Sequence, residues 1–296
     1  MNTEKSREKG IIFTMLSAII FGFTPILARI AYDGGSNGIT MTFFRAFLAL
    51  PVLYLLIRKK GISLRLSKRQ LFDVAVTGTL GTGLTTVFLY MSYNYISVGL
   101  STTLHFIYPL VVTLCCRLLF KERMGKLKWF ALFLGAAGIL FLLEPGSGIS
   151  VAGIALSLLS GICYSFYILY LSRSELKDIP YFKLSFYLCI MMAATSMVFG
   201  TVLGQLTADM TPGAWLCSFL VSMFTSVLAL SLFQMGVKLS GPSSAAMLST
   251  LEPITGVILG ILVLKEGCSF FKIAGGLCVV GSVLLVAKEG EKEKEI

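Results

Sequence analysis

Two prolines stand beside polar side chains inside otherwise apolar runs, as Tyr108-Pro109 and Glu252-Pro253. A carboxyl group in such a run is costly unless it faces a cavity or a partner. Glu252 is therefore the first candidate for a solute-binding or proton-exchanging group, with a hydrogen-bonded structural acid as the alternative. Proline supplies no backbone donor, so Pro109 and Pro253 leave carbonyls near these side chains unpaired. On a helix, Ser101, His105 and Tyr108 share a face by their i, i+4, i+7 spacing. Ala245, Ser249 and Glu252 have the same spacing 144 residues later, continued by Gly256 and Gly260. Tyr90 and Gln234 are related by the same offset and are candidate lining residues. His105, the single histidine, is either a site group or a packing histidine. Tyr164 and Tyr167 either line a cavity or pack as aromatics. Arg45 in FFRAF either extends to the headgroups or supplies positive charge to a cavity.

Other chemistries find no residues to carry them. There is no GxxxxGK[ST] phosphate loop, which excludes a self-powered ATP pump. GTLGTG (Gly78 to Gly83) follows no strand and fits close helix packing better than nucleotide binding. The seven cysteines form no CxxC pair or His/Cys cluster, so no metal or other cofactor is expected. No nucleophile-base-acid set suggests an enzyme, and no filter-like loop or ring of charge suggests a channel.

The elements that must hold these groups are set by composition. Hydrophobic residues make up 56% of the chain and charged residues 14%, and the mean hydropathy is +0.85. Segments of about 17 to 25 apolar residues can cross a bilayer as helices. Ten are expected: 11–31, 39–57, 71–91, 98–119, 126–143, 149–171, 181–203, 213–236, 243–264 and 270–287. With the N-terminus cytoplasmic, 20 of the 25 basic residues fall on the cytoplasmic side, as the positive-inside rule requires. Both ends are then cytoplasmic. The net charge of +10 reports this bias and not nucleic-acid binding. Lys5 to Lys9 before the first apolar run read as the flank of an uncleaved first span.

The second half repeats the first. Leu104, Pro109, Leu118, Lys121, Glu122, Lys128 and Leu140 fall on identical residues 144 positions later, and SAIIFGF (Ser17 to Phe23) returns as SGICYSF (Ser160 to Phe166). Five spans per copy is an odd number, so the copies are inverted, an arrangement typical of secondary transporters. The expected units are 10–143, 149–287 and a charged cytoplasmic tail, 288–296. Glu122 and Glu266 end corresponding helices beside Lys121 and Lys265, as gate or, more simply, capping groups.

The run LEPITGVILGILVLKEGCSFFKIAGGLCVVGSVLLV (Leu251 to Val286) resembles the end of an EamA-type domain of the drug/metabolite transporter superfamily, and Ile107 to Leu143 resembles it again. Lys121 and Lys265 depart from the glycine that often precedes the terminal glutamate. The resemblance implies ten helices in two inverted repeats around a central cavity that opens alternately to each side. The expected function is secondary transport, by export, of a metabolite, amino acid or drug-like solute through the cytoplasmic membrane of a bacterium, with H+ as the candidate coupling ion. The expected partners are the lipid bilayer and the small solute. The alternatives are a sugar or nucleotide-sugar carrier, or a membrane scaffold or channel with no solute cycle.

Overall fold

The computed structural model describes residues 2–96, 98–121, 125–141, 150–264 and 270–292. Glu122 and Glu266 lie outside them. The described residues contain helices and no strand. Six helical stretches among them are long and apolar enough to cross a membrane: Ser6–Asp33, Gly38–Lys59, Lys68–Ser92, Val151–Arg173, Tyr181–Val202 and Pro212–Ser240. Tyr108–Leu119 and Ile273–Ser282 are shorter apolar helices.

In chain order the helices are α1 (Asn2–Gly22), α2 (Thr24–Asp33), α3 (Gly38–Phe47), α4 (Ala49–Lys59), α5 (Lys68–Val76), α6 (Leu84–Ser92), α7 (Val98–His105) and α8 (Tyr108–Leu119). Then follow α9 (Lys126–Phe141), α10 (Val151–Arg173), α11 (Tyr181–Val202), α12 (Pro212–Val221), α13 (Leu230–Ser240), α14 (Pro242–Leu248), α15 (Leu251–Leu264) and α16 (Phe270–Lys292). A π-helical segment, Thr77–Gly83, joins α5 to α6, and another, Ser222–Ala229, joins α12 to α13. Helix α16 carries on past the expected span end at 287 into the charged tail.

Local chemistry accounts for the ends and breaks. Asn37 and Thr211 cap α3 and α12 by accepting from Thr40 N and Ala214 N, and Ser67 forms a capping box with Gln70 at α5, each satisfying a backbone donor the helix start leaves unpaired. The expected span 98–119 is broken after His105, and 243–264 is broken after Leu248. Pro109 cannot donate to the His105 carbonyl four residues back, nor Pro253 to that of Ser249. Each proline instead sits in the first turn of the next helix, where no donor is needed.

The surface is apolar and the interior unusually polar. Leu118, Leu119, Val202, Leu262 and Leu277 are each more than two-thirds exposed, whereas Ser17, Thr40, Ser101, Ser157, Ser196, Ser222 and Ser226 are fully buried. Such an inversion suits a lipid solvent. Many hydroxyls donate to the carbonyl four residues back, as Thr42 does to Gly38, Ser157 to Gly153 and Thr225 to Val221, which satisfies them within their own helix.

The packing pairs α9 with α16, α1 with α13 and α15, α6 and α8 with α10, and α3 and α4 with α11. The α1–α13 contact is close because Gly236 lies against Thr14, and a side chain there would meet the threonine hydroxyl. Small residues also bring α9 onto α16, where Ser282 donates to the Ala131 carbonyl (2.7 Å).

Candidate functional site

A cavity of about 60 Å³ lies where α1, α2, α3, α6, α7 and α15 converge. Its polar lining is Thr24, Arg45, Tyr90, Tyr93, Thr102 and Glu252. Arg45 is only 8% exposed. Its Nη1 donates to the Tyr90 hydroxyl across a long 3.5 Å, and its backbone carbonyl accepts from Ser222 Oγ (2.7 Å). The latter bond ties α3 to the second π-helical segment. Arg45 Nε and Thr24 Oγ1 are buried and have no hydrogen-bond partner among the described residues. Arg45 therefore points into the protein and does not extend to the headgroups.

Glu252 reaches this cavity because of the break before α15. Its N–H donates to the Ser249 carbonyl (3.0 Å) as the new helix starts, which places the carboxyl one residue before Pro253. Arg45 and Glu252 line the same cavity, yet no ion pair within 4 Å joins them among the described residues. A guanidinium and a carboxyl group thus share one small cavity without a direct bond between them.

Beyond this cavity is an aromatic cluster. Ring centroids are 5.4 Å apart for His105–Tyr108, 4.8 Å for Tyr108–Tyr164, 5.6 Å for Tyr164–Tyr167 and 5.8 Å for Tyr164–Phe233. His105 Nδ1 is 2.8 Å from Ser160 Oγ, and Ser160 Oγ itself donates to the Ser157 carbonyl (2.6 Å). The serine has a single proton to give, so His105 Nδ1 carries the hydrogen and donates. Gly161 allows this approach, because an added Cβ there would lie 2.6 Å from the His105 carbonyl oxygen. The hydroxyls of Tyr108 and Tyr167 are buried, the first beside Ser249 and the second beside Gln234.

A second cavity, of about 450 Å³, lies on the other side of the cluster. Thr102 of the first cavity is one turn before His105 on α7, while Leu171 of the second is one turn past Tyr167 on α10. Gln234 lines this second cavity, with its Nε2 donating to Ser185 Oγ (3.2 Å).

Three expected site residues, Arg45, Tyr90 and Glu252, meet at the first cavity. Four more, His105, Tyr108, Tyr164 and Tyr167, form the cluster, and Gln234 stands apart in the second cavity. Ser101 and Ser249 are buried but line neither cavity, and the Ser249 hydroxyl donates to the Ala245 carbonyl (2.9 Å). Thr24, Tyr93, Thr102 and Phe233 are additional members. Tyr93 is legible as the i+3 neighbour of Tyr90 on one helix face, whereas nothing in the sequence marks the other three.

The model of the EamA-like transporter family matches residues 8–144 and again residues 151–288. The chain belongs to the EamA-like transporter family. An uncharacterized transporter of Synechocystis sp. is 25% identical, with 95% of this chain and 93% of the relative covered. The uncharacterized inner membrane transporter YicL of Salmonella typhimurium is 22% identical over 97% of this chain and 98% of its own. A solved crystal structure superposes with a TM-score of 0.83 at 16% identity, covering 96% of this chain and 98% of that one; at that identity the likeness concerns the fold. Family, relatives and apolar helices together make this a multi-pass transporter of the cell membrane.

Proposed function

We propose that the chain is a secondary transporter that exports a small organic solute by alternating access, and that the first cavity is its binding site. The observation that carries this reading is the placement of the Arg45 guanidinium and the Glu252 carboxyl around one cavity without a bond between them. Buried charges need partners, and a solute with both an anionic and an ammonium group satisfies both. An amino acid or similar zwitterion has this chemistry; an amine-bearing drug-like solute would engage Glu252 alone. A proton taken by Glu252 when the cavity faces one side and released on the other would couple export to an inward proton gradient.

The proposed frame is ten spans, both termini cytoplasmic, and two inverted halves. Its support is the 144-residue sequence offset together with paired irregularities: a helix break before each of Pro109 and Pro253, and a π-helical segment before each of Tyr90 and Gln234. In this frame the first cavity lies toward the outer face and the second toward the cytoplasm, with the aromatic cluster closing the route between them.

The test is solute uptake in proteoliposomes over amino acids, amines, sugars and drugs, with and without a pH gradient. Gradient-dependent accumulation of an amino acid or amine is expected, and accumulation of sugars alone would move the reading to a sugar carrier. The frame is checked separately by cysteine accessibility. Lys126→Cys is expected to label from the cytoplasm and Phe270→Cys from outside, and labelling of both from one side would overturn the inversion.

A further inference from the structure

The second cavity is far larger than the first and differently built. Leu171, Leu176, Ile179, Leu184 and Val237 form apolar walls, and Arg173, Lys177 and Lys238 stand with Asp178 toward the rim. At about 450 Å³ its volume is that of a small-molecule pocket, and apolar walls with a few polar groups are the usual lining of one. Its charges do not cancel. Lys238 Nζ is 3.9 Å from Asp178 Oδ1, and the Arg173 guanidinium lies 4.0 Å from the Phe120 ring centroid. Lys177 makes no ion pair among the described residues. Toward the interior, Gln234 is 4% exposed, with its Nε2 held by Ser185 and its side chain beside the Tyr167 hydroxyl. A cavity of this size with surplus positive charge at its mouth calls for an anionic ligand.

The geometry points to a second binding site here, for an amphiphilic organic anion whose acidic group meets Lys177 and Lys238 and whose apolar body lies against Pro180, Tyr181, Met235 and Pro242. This site goes beyond the solute site at Arg45 and Glu252. It depends on the transporter reading only for its role as a loading station on the route inward of the aromatic cluster. Two sources supply the same chemistry: a soluble carboxylate and the headgroup region of an anionic phospholipid.

Binding is tested without transport, so its failure and that of the transport reading are separate. Met235 lines the cavity. Met235→Cys protein in phosphatidylcholine nanodiscs is labelled with an anionic (sulfonatoethyl) and a cationic (trimethylammonioethyl) methanethiosulfonate. Rates are divided by those with 2-mercaptoethanol, and labelling of the unsubstituted protein is subtracted. A cleft with a surplus of one sign of charge concentrates counter-ions, by about tenfold at the low end, so the anionic reagent is expected to react about ten times faster. Octanoate is expected to slow the reaction saturably and octylammonium is not. Lys177→Gln combined with Lys238→Gln should remove both effects, while the comparison of octanoate with octylammonium needs no lysine variant. Slower labelling in phosphatidylglycerol nanodiscs without octanoate assigns the site to lipid, and equal rates in the two lipids assign it to a soluble carboxylate. Equal rates for the two reagents, or equal protection by octanoate and octylammonium, would overturn the proposal.

Discussion

Glu252→Gln is expected to abolish accumulation of solute driven by a pH gradient while leaving measurable exchange of solute down its own gradient. The amide has nearly the shape of the carboxyl and can still accept a hydrogen bond, so the cavity at the start of α15 keeps its form. On the proposed coupling, what is lost is the ability to take and release a proton as the cavity changes sides. The prediction is motivated by the placement of the carboxyl in a small cavity with Arg45 and no ion pair within 4 Å among the described residues. Accumulation and counterflow are to be measured on the same proteoliposomes. Full gradient-driven accumulation by the variant would remove Glu252 from the coupling step, and loss of exchange as well would make it a group for binding only.

Much of this architecture can be read from residue types. Proline at 109 and 253 cannot pair with the carbonyl four residues back, and the helices break where that chemistry requires. The π-helical segments are another matter. The glycines of Thr77–Gly83 read simply as packing residues, and Gly78, Gly81 and Gly83 do pack against Met191, Tyr167 and Thr195. The extra residue per turn depends on neighbours from distant helices and leaves no local mark. The separation of Tyr90 from Gln234 was equally hidden. A repeated sequence gives both positions the same status, but one conformation of the protein gives its two ends different shapes, a 60 Å³ cavity at one and a 450 Å³ cavity at the other. Likewise His105 has two polar spacing partners within α7, Ser101 and Thr102, while its hydrogen-bond partner, Ser160, comes from the other half of the chain.

Arg45→Met separates the two charges of the site and is expected to change which solutes are carried. The methionine keeps an unbranched stem in the space between α3 and α6, and Ser222 still has the residue 45 carbonyl to donate to, because that bond involves only the backbone. Removing the guanidinium leaves the anionic end of a zwitterion without a partner in a desolvated cavity. Truncating one member of a buried charge pair costs about 2–5 kcal/mol. A loss of about 2.7 kcal/mol corresponds to roughly a hundredfold weaker binding, and this is the expected rise in half-saturating concentration for an amino acid. A monovalent amine uses Glu252 alone, so its half-saturation should move far less, and the ratio between the two solutes is the quantity to measure. Tyr90→Phe is the companion variant, since it takes away only the long 3.5 Å bond to Arg45 and is expected to weaken amino acid transport by less than Arg45→Met does. A parallel loss for amine and amino acid in Arg45→Met would make the guanidinium a structural group and return the site to Glu252 alone.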